Sequence, residues 1–191
     1  MKKMLMIVIL MILAVSMASA TQFGVKAGLV MSKFTEDFEG VEPGVNTGLL
    51  FGAMIHMPLP ALPLTIIGEA NYIQKGSQYE EGGNELLFNT NYIELTALAK
   101  YNILPMVGIY AGPSWGFVAS AEVEFEDGET VDIKDDIKGS EMSLNIGAQG
   151  KLGPILLDGR YNMGLTDNSD TDDMAEKLKT STFIISAGIL F

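Results

Sequence analysis

MSLNIGAQGKL, residues 142–152, alternates between apolar positions and positions that are polar or glycine. The apolar row holds Met142, Leu144, Ile146, Ala148 and Leu152, and the other row holds Ser143, Asn145, Gly147, Gln149 and Lys151. A period of two residues is typical of a β-strand whose two faces meet different surroundings. The stretch therefore predicts a strand with one apolar face and one polar face.

The same alternation recurs along the chain after residue 20. Seven further segments carry it, at 23–31, 45–57, 64–75, 90–102, 106–120, 154–166 and 181–191. Tilted strands of about 9 to 11 residues are long enough to cross a bilayer. Short connections at 58–63, 103–105 and 153–154 alternate with longer ones at 34–44, 76–88, 121–140 and 167–180. The chain is therefore predicted to be all-β: an eight-stranded antiparallel up-and-down transmembrane β-barrel with tight periplasmic turns and longer outer loops.

One stretch, residues 49–68, also fits a different structure, because it is apolar and long enough for a membrane-spanning helix. Pro58, Pro60 and Pro63 lie within six residues of one another and disfavour a continuous helix. Two strands joined by a proline turn are predicted instead. A second hairpin is predicted in the long connection EVEFEDGETVDIKDD, residues 122–136, where alternating residues flank Asp127 and Gly128.

Aromatic residues of the apolar faces fall into two groups. With both chain ends at the periplasmic side, one group lies at the lower rim and the other toward the upper rim, as in the aromatic girdles of membrane barrels. The lower group is Phe23, Tyr101 and Phe191, and the upper group is Tyr72, Trp115, Phe117 and Phe183.

The N-terminal stretch MKKMLMIVILMILAVSMASA, residues 1–20, has two lysines, an apolar core and a final Ala-Ser-Ala. This is the pattern of a cleaved signal peptide, and a retained membrane anchor is the alternative. Residues 21–191 are therefore expected to form one exported barrel domain in the cell outer membrane.

Composition excludes several function classes. The 191 residues include 24 acidic and 12 basic residues, one His and no Cys. A net charge of −12 argues against nucleic acid, and the absence of Cys excludes disulfides and Cys-type zinc sites. The acidic stretch DNSDTDD, residues 167–173, lacks the Gly and the distal Glu of an EF-hand loop. No metal, no cofactor and no catalytic residue are predicted.

Charge is sorted along the chain. The four long connections contain 20 of the 24 acids, whereas the predicted polar strand faces are nearly neutral. An eight-stranded barrel is just wide enough to be filled by side chains, so charges on these faces should pair with one another. Arg160 is predicted to pair with Glu69 or Glu94 across the interior. The predicted interior network is Lys26, Glu69, Glu94, Lys100, Lys151, Asp158 and Arg160.

Four motifs together resemble the PorT-like outer-membrane β-barrel family, small barrels in the style of OmpX and OmpA. They are YIELTALAKY (92–101), YAGPSWGFVAS (110–120), DGRYNMGLTD (158–167) and TFIISAGILF (182–191). The resemblance covers the chain after residue 20 and implies the barrel fold and an envelope location. Ile189 and the terminal Phe191 resemble the C-terminal signal that the outer-membrane assembly machinery recognises.

The predicted function is structural or adhesive, through acidic outer loops that contact lipopolysaccharide or a protein partner, or that of an accessory subunit in an envelope complex. The expected surroundings are outer-membrane lipid and lipopolysaccharide, and the expected state is a monomer. Two alternatives remain: a soluble lipocalin-like carrier, and a lipid A-modifying barrel enzyme that would use His56 as its base. Because His56 is expected at the periplasmic end, away from lipid A, the chain is predicted not to be an enzyme.

Overall fold

The computed structural model describes residues 20–34, 46–59, 62–81, 84–125, 130–132, 139–165 and 180–191. These residues form nine β-strands. In chain order they are β1 (Gln22–Phe34), β2 (Asn46–Pro58), β3 (Leu64–Glu81), β4 (Asn84–Leu104), β5 (Val107–Phe125), β6 (Thr130–Asp132), β7 (Ser140–Leu152), β8 (Ile155–Gly164) and β9 (Thr180–Leu190).

Eight of the nine described strands close into a ring. Each of the eight pairs with its neighbours in the order β1, β2, β3, β4, β5, β7, β8, β9, and β9 pairs with β1. All pairings are antiparallel, and the closed ring leaves these strands without a free edge in the barrel wall. Backbone bonds between Phe23 and Phe191, 3.2 and 2.8 Å from N to O, join the start of β1 to the residue that follows β9. The predicted eight-stranded antiparallel barrel is confirmed.

Alternate residues of each strand face opposite sides of the wall. Large apolar side chains are exposed on the outside, and most polar and charged side chains of the strands are buried inside. A soluble carrier with an apolar cavity needs the reverse arrangement, so that alternative is wrong. The aromatic residues predicted to face outward are all exposed: Phe23, Tyr72, Tyr101, Trp115, Phe117, Phe183 and Phe191.

The wall is taller on one side. β3, β4 and β5 contain 18, 21 and 19 residues, whereas β1, β2, β7, β8 and β9 contain 10 to 13. The prediction of a long connection at 76–88 is wrong, because β3 and β4 stay paired as far as Glu81 and Asn84. Beyond the bilayer a strand needs no lipid-facing apolar side. Its sequence therefore loses the alternation of apolar and polar residues that predicts a strand, although the backbone pairing continues.

The third long connection contains the predicted hairpin. β6 pairs with the end of β5, with Glu122 opposite Asp132 and Glu124 opposite Thr130. The top of the tall side is therefore a four-stranded sheet, called here the outer sheet: residues 76–81 of β3, 84–91 of β4, 119–125 of β5, and β6.

The predicted signal peptide lies outside the described residues, except for Ala20, and so does most of connections 34–44 and 167–180. In the part of the chain that is described, no helix has the length and apolar character needed to cross a membrane.

The C-terminal residue offers a test of the predicted assembly signal. The Phe191 side chain is 74% exposed and Leu152, at the same end of the barrel, is 67% exposed. Phe191→Ala and Leu152→Ala should therefore destabilise the refolded barrel in detergent to a similar extent. Only Phe191→Ala should reduce the heat-modifiable barrel recovered from outer membranes of expressing cells. Equal recovery of the two variants would show that Phe191 is not part of the assembly signal.

Candidate functional site

Arg160 on β8 and Glu69 on β3 form the centre of the barrel interior. The two strands lie four positions apart in either direction around the ring of eight, so the pair spans the interior across its full width. Arg160 Nη1 and Nη2 donate to Glu69 Oε2 and Oε1, each at 2.8 Å. Both side chains are 0% exposed. This is the bidentate guanidinium–carboxylate geometry that planar arginine permits.

Other side chains complete the central cluster. Lys26 Nζ lies 2.7 Å from Glu69 Oε2, which also accepts a bond from Asn71 at 3.1 Å. Tyr110 donates its hydroxyl proton to Asp158 Oδ2 at 2.7 Å and accepts from Arg160 Nε at 3.1 Å. The central cluster, Lys26, Glu69, Asp158 and Arg160 with Asn71 and Tyr110, therefore balances two acids against two bases.

A second group, the outer cluster, lies toward the outer sheet. Lys75 Nζ is 3.4 Å from Glu141 Oε2 and 3.5 Å from Glu94 Oε2, and all three side chains are buried. Ser143 donates to Glu141, and the ammonium of Lys75 lies 5.1 Å from the ring centre of Tyr92. Two acids here share one base.

Lys100 and Lys151 form a third group, the basic cluster, at the end of the barrel where β1 begins and β9 ends. Lys100 Nζ donates to Gln149 Oε1 at 3.1 Å, and Lys151 Nζ donates to Gln22 Oε1 at 2.7 Å. Among the described residues neither lysine lies within 4.0 Å of a carboxylate. Both ammonium groups are therefore held by neutral amides alone.

Two glycines make room for the central cluster. A Cβ on Gly147 would collide with the hydroxyl of Tyr110, and a Cβ on Gly52 would collide with the side-chain oxygen of Asn71. At these wall positions the cluster approaches the backbone so closely that any larger residue would displace a member of the network.

Buried apolar side chains also form three clusters inside the barrel, which the sequence analysis missed. The sequence did contain a feature that indicates these inward apolar residues: pairs of adjacent apolar residues, of which one faces lipid and one faces inward. Examples are Leu49-Leu50, Ile66-Ile67 and Ile184-Ile185. The clusters are Val30, Leu50, Ile73, Tyr92 and Ile184; Met54, Leu156 and Leu190; and Ile67, Leu98 and Tyr110.

The structure separates the predicted interior residues into the three groups. Lys26, Glu69, Asp158 and Arg160 meet in the central cluster, Glu94 belongs to the outer cluster, and Lys100 and Lys151 form the basic cluster. Arg160 pairs with Glu69, and Glu94 pairs with Lys75 instead.

The sequence analysis did not include Lys75 or Glu141 in the network. Lys75 was detectable, because it continues the inward row of β3 six residues beyond Glu69. The assumption that every interior charge pairs with another is wrong for Lys100 and Lys151.

His56 was the one candidate base. It lies two residues before the end of β2 and is 3% exposed, so it is a buried interior residue and not a solvated rim residue. Its Nε2 atom has no hydrogen-bond partner. A nucleophile or an acid within hydrogen-bond reach of Nε2, which a His-dependent hydrolase would need, is therefore not present in the described part of the chain.

A closed wall with apolar residues outside and a packed, mostly polar interior defines an outer-membrane type of β-barrel. The chain belongs to the outer membrane protein beta-barrel domain family, whose sequence profile matches residues 16–170. No curated protein sequence matches the chain.

Solved structures share the fold. Ail, the attachment invasion locus protein of Yersinia pestis, is 18% identical, with a TM-score of 0.51 over 90% of this chain and 99% of that one. Neisserial surface protein A is 12% identical, with a TM-score of 0.56 over 88% and 97%. A major outer membrane protein of Thermus thermophilus is 14% identical, with a TM-score of 0.52 over 90% and 100%. At these identities the likeness shows the fold.

The Arg160–Glu69 pair yields a sharp stability test. Arg160→Met leaves one uncompensated acid in the central cluster and should destabilise the barrel by about 3 to 5 kcal/mol. Adding Glu69→Gln restores the balance between Lys26 and Asp158 and should recover much of the loss. Urea unfolding in detergent, analysed as a double-mutant cycle, measures the coupling.

Glu94→Gln on the Arg160→Met background is the matched control, because it removes an equivalent buried acid that belongs to the outer cluster. Because the outer cluster has two acids and one base, Glu94→Gln is also measured in the wild-type barrel. Recovery with Glu94→Gln beyond its effect in the wild-type barrel, or none with Glu69→Gln, would contradict the pairing.

Proposed function

We propose that this chain is a non-conducting structural barrel of the outer membrane that uses its outer sheet to bind the lipopolysaccharide around it through divalent cations. The observation that carries the proposal is the register of the outer sheet, which places acids opposite acids. Outward orientation of this end follows from the long acidic connections that it carries.

Directly paired residues of an antiparallel sheet share a face. In the outer sheet Glu80 is opposite Glu85, and Glu122 is opposite Asp132. Glu124 is opposite Leu87 on one neighbouring strand and Thr130 on the other, two residues along from Glu85 and Asp132 respectively. These five acids therefore belong to one face of the sheet, called here the acidic face.

Like charges placed directly opposite each other destabilise a sheet unless a countercharge lies nearby. In the backbone register, residues 78 and 80 continue the row of β3 that carries Tyr72, and Tyr72 is on the outside of the barrel. From this alternation we infer that the acidic face lies on the side of the surrounding lipid. The lipid on that side of an outer membrane is lipopolysaccharide, whose headgroups carry phosphates. Divalent cations shared between carboxylates and phosphates would supply the missing countercharge.

The ligand contact proposed for this chain differs from the one seen in a structural relative. The Ail structure holds sucrose octasulfate, a heparin analogue. The four long connections here contain 20 acids against four lysines, which disfavours direct contact with a sulfated polyanion. A cation-bridged contact is compatible with that charge.

A second candidate function is that of an adhesive or accessory barrel with a protein partner. The opposite face of the outer sheet supports it, because its paired positions hold mostly apolar residues: Tyr79, Leu86, Phe88, Val123, Phe125 and Val131. The proposal also includes four expectations from the sequence. They are export through a cleaved signal peptide, monomeric assembly, membership of the PorT-like group and the absence of catalysis.

The test is binding to lipopolysaccharide. The purified barrel should bind lipopolysaccharide vesicles in magnesium and lose most of that binding in a chelator. The variant Glu80→Gln, Glu85→Gln, Glu122→Gln, Asp132→Asn should bind about tenfold more weakly, since it removes both like-charge pairs. Surface plasmon resonance on captured barrel measures both effects.

A matched control neutralises four acids of another long connection: Asp167, Asp170, Asp172 and Asp173, each changed to Asn. This control should retain most of the binding. Binding that ignores the chelator, or that falls equally in both variants, would contradict a role for the acidic face.

A further inference from the structure

The interior charges of the described residues are not distributed evenly along the barrel axis. The outer cluster has one acid in excess, the central cluster is balanced, and the basic cluster has two lysines and no acid. Lys100 is 8% exposed, so water around it is restricted. Lys151 is half-buried. Positive charges withdrawn from water without a counterion are expensive, and a fold that keeps a buried and a half-buried lysine at one end of its interior is suited to receive an anion.

The polar groups near these lysines converge from several strands. Gln149 and Lys151 lie two residues apart on β7 and so face the same side, and Lys100 reaches Gln149 from β4. Lys151 reaches across to Gln22 on β1, which is directly opposite His56 of β2. Groups on four strands, β1, β2, β4 and β7, therefore meet at this end of the interior.

Several hydrogen-bonding positions in this group are unused. Each ammonium has three N–H donors, and the structure gives one bond to an amide oxygen for each lysine. Among the described residues the Nε2 atom of His56 has no hydrogen-bond partner although the residue is only 3% exposed, and Nε2 can donate when it carries a proton. A bound group with several acceptor oxygens and negative charge matches the unused donors of the two lysines and His56.

We propose that the basic cluster, with His56, is a binding site for a phosphate-type oxyanion. The ligand is a free phosphate group or the headgroup phosphate of a phospholipid whose headgroup reaches the opening. The site is distinct from the acidic face, and it does not depend on the proposed function, because it lies at the opposite end of the barrel and uses other residues.

The first experiment measures inorganic phosphate binding by the mature barrel in a maltoside detergent that contains no phosphate. Wild-type barrel should show a saturable rise in its urea unfolding midpoint with phosphate, and the rise should exceed that in sodium chloride of equal ionic strength. An equal rise in chloride, or no rise, would exclude a free phosphate ion as the ligand, and the proposal would then depend on the lipid probe described below.

Variants then locate the site. The double variant Lys100→Gln, Lys151→Gln should bind phosphate about tenfold more weakly or worse, which is the loss expected when charge-assisted hydrogen bonds are removed. Lys33→Gln, in β1 at the other end of the barrel, is the matched control and should leave phosphate affinity unchanged. The double variant should also be at least as stable as wild type without phosphate, because it loses the repulsion between two unpaired charges. Unchanged phosphate affinity in the folded double variant would overturn the site.

A second arm distinguishes the two sources of phosphate. Dihexanoyl-phosphatidylglycerol is added to the same detergent solution in place of inorganic phosphate. Binding of inorganic phosphate indicates a free ligand, whereas binding of the short-chain lipid alone indicates a phospholipid headgroup, and both results support the site if the double variant abolishes them. Failure of both probes to bind would overturn it.

Discussion

The bond between Arg160 and Glu69 is the constraint on which the rest of the interior depends. It joins two strands on opposite sides of an eight-stranded ring, in a space that excludes bulk water. A charge in such a space is stable only when it is paired and hydrogen-bonded. Both oxygens of Glu69 accept hydrogen bonds from the Arg160 guanidinium, and Lys26 and Asn71 also donate to Oε2. The pair therefore fixes the positions of its neighbours as well as its own.

Several features of the wall follow from this arrangement. Gly147 and Gly52 leave the space that Tyr110 and Asn71 occupy, so backbone positions far apart in sequence are constrained by the same cluster. Apolar side chains occupy levels of the interior where the charged groups are absent, which supports the proposal that side chains fill the barrel. The outside of the wall is left to lipid, and the two proposed binding surfaces lie at the two ends of the barrel.

The barrel could be predicted because lipid imposes one strong rule on every strand: its outer row must be apolar. Segments such as 142–152 follow that rule clearly. It gave no information about residues 76–81 and 84–88, which continue β3 and β4 beyond the predicted membrane strands, or about inward apolar residues such as Leu50. Charge balance pointed to Arg160 but left two partners for it, because the choice between Glu69 and Glu94 depends on which strands face each other across the ring. The unpaired lysines could not be predicted by a rule that assumes every charge is compensated.

The claim that the interior is closed by the central cluster is tested most directly by single-channel recording in planar bilayers. The wild-type barrel should show no large, stable conductance steps, and the variant Arg160→Ala, Glu69→Ala should show more frequent small openings, because the side chains that span the interior have been removed. Large, stable steps from the wild-type barrel, unchanged in the double variant, would contradict the account.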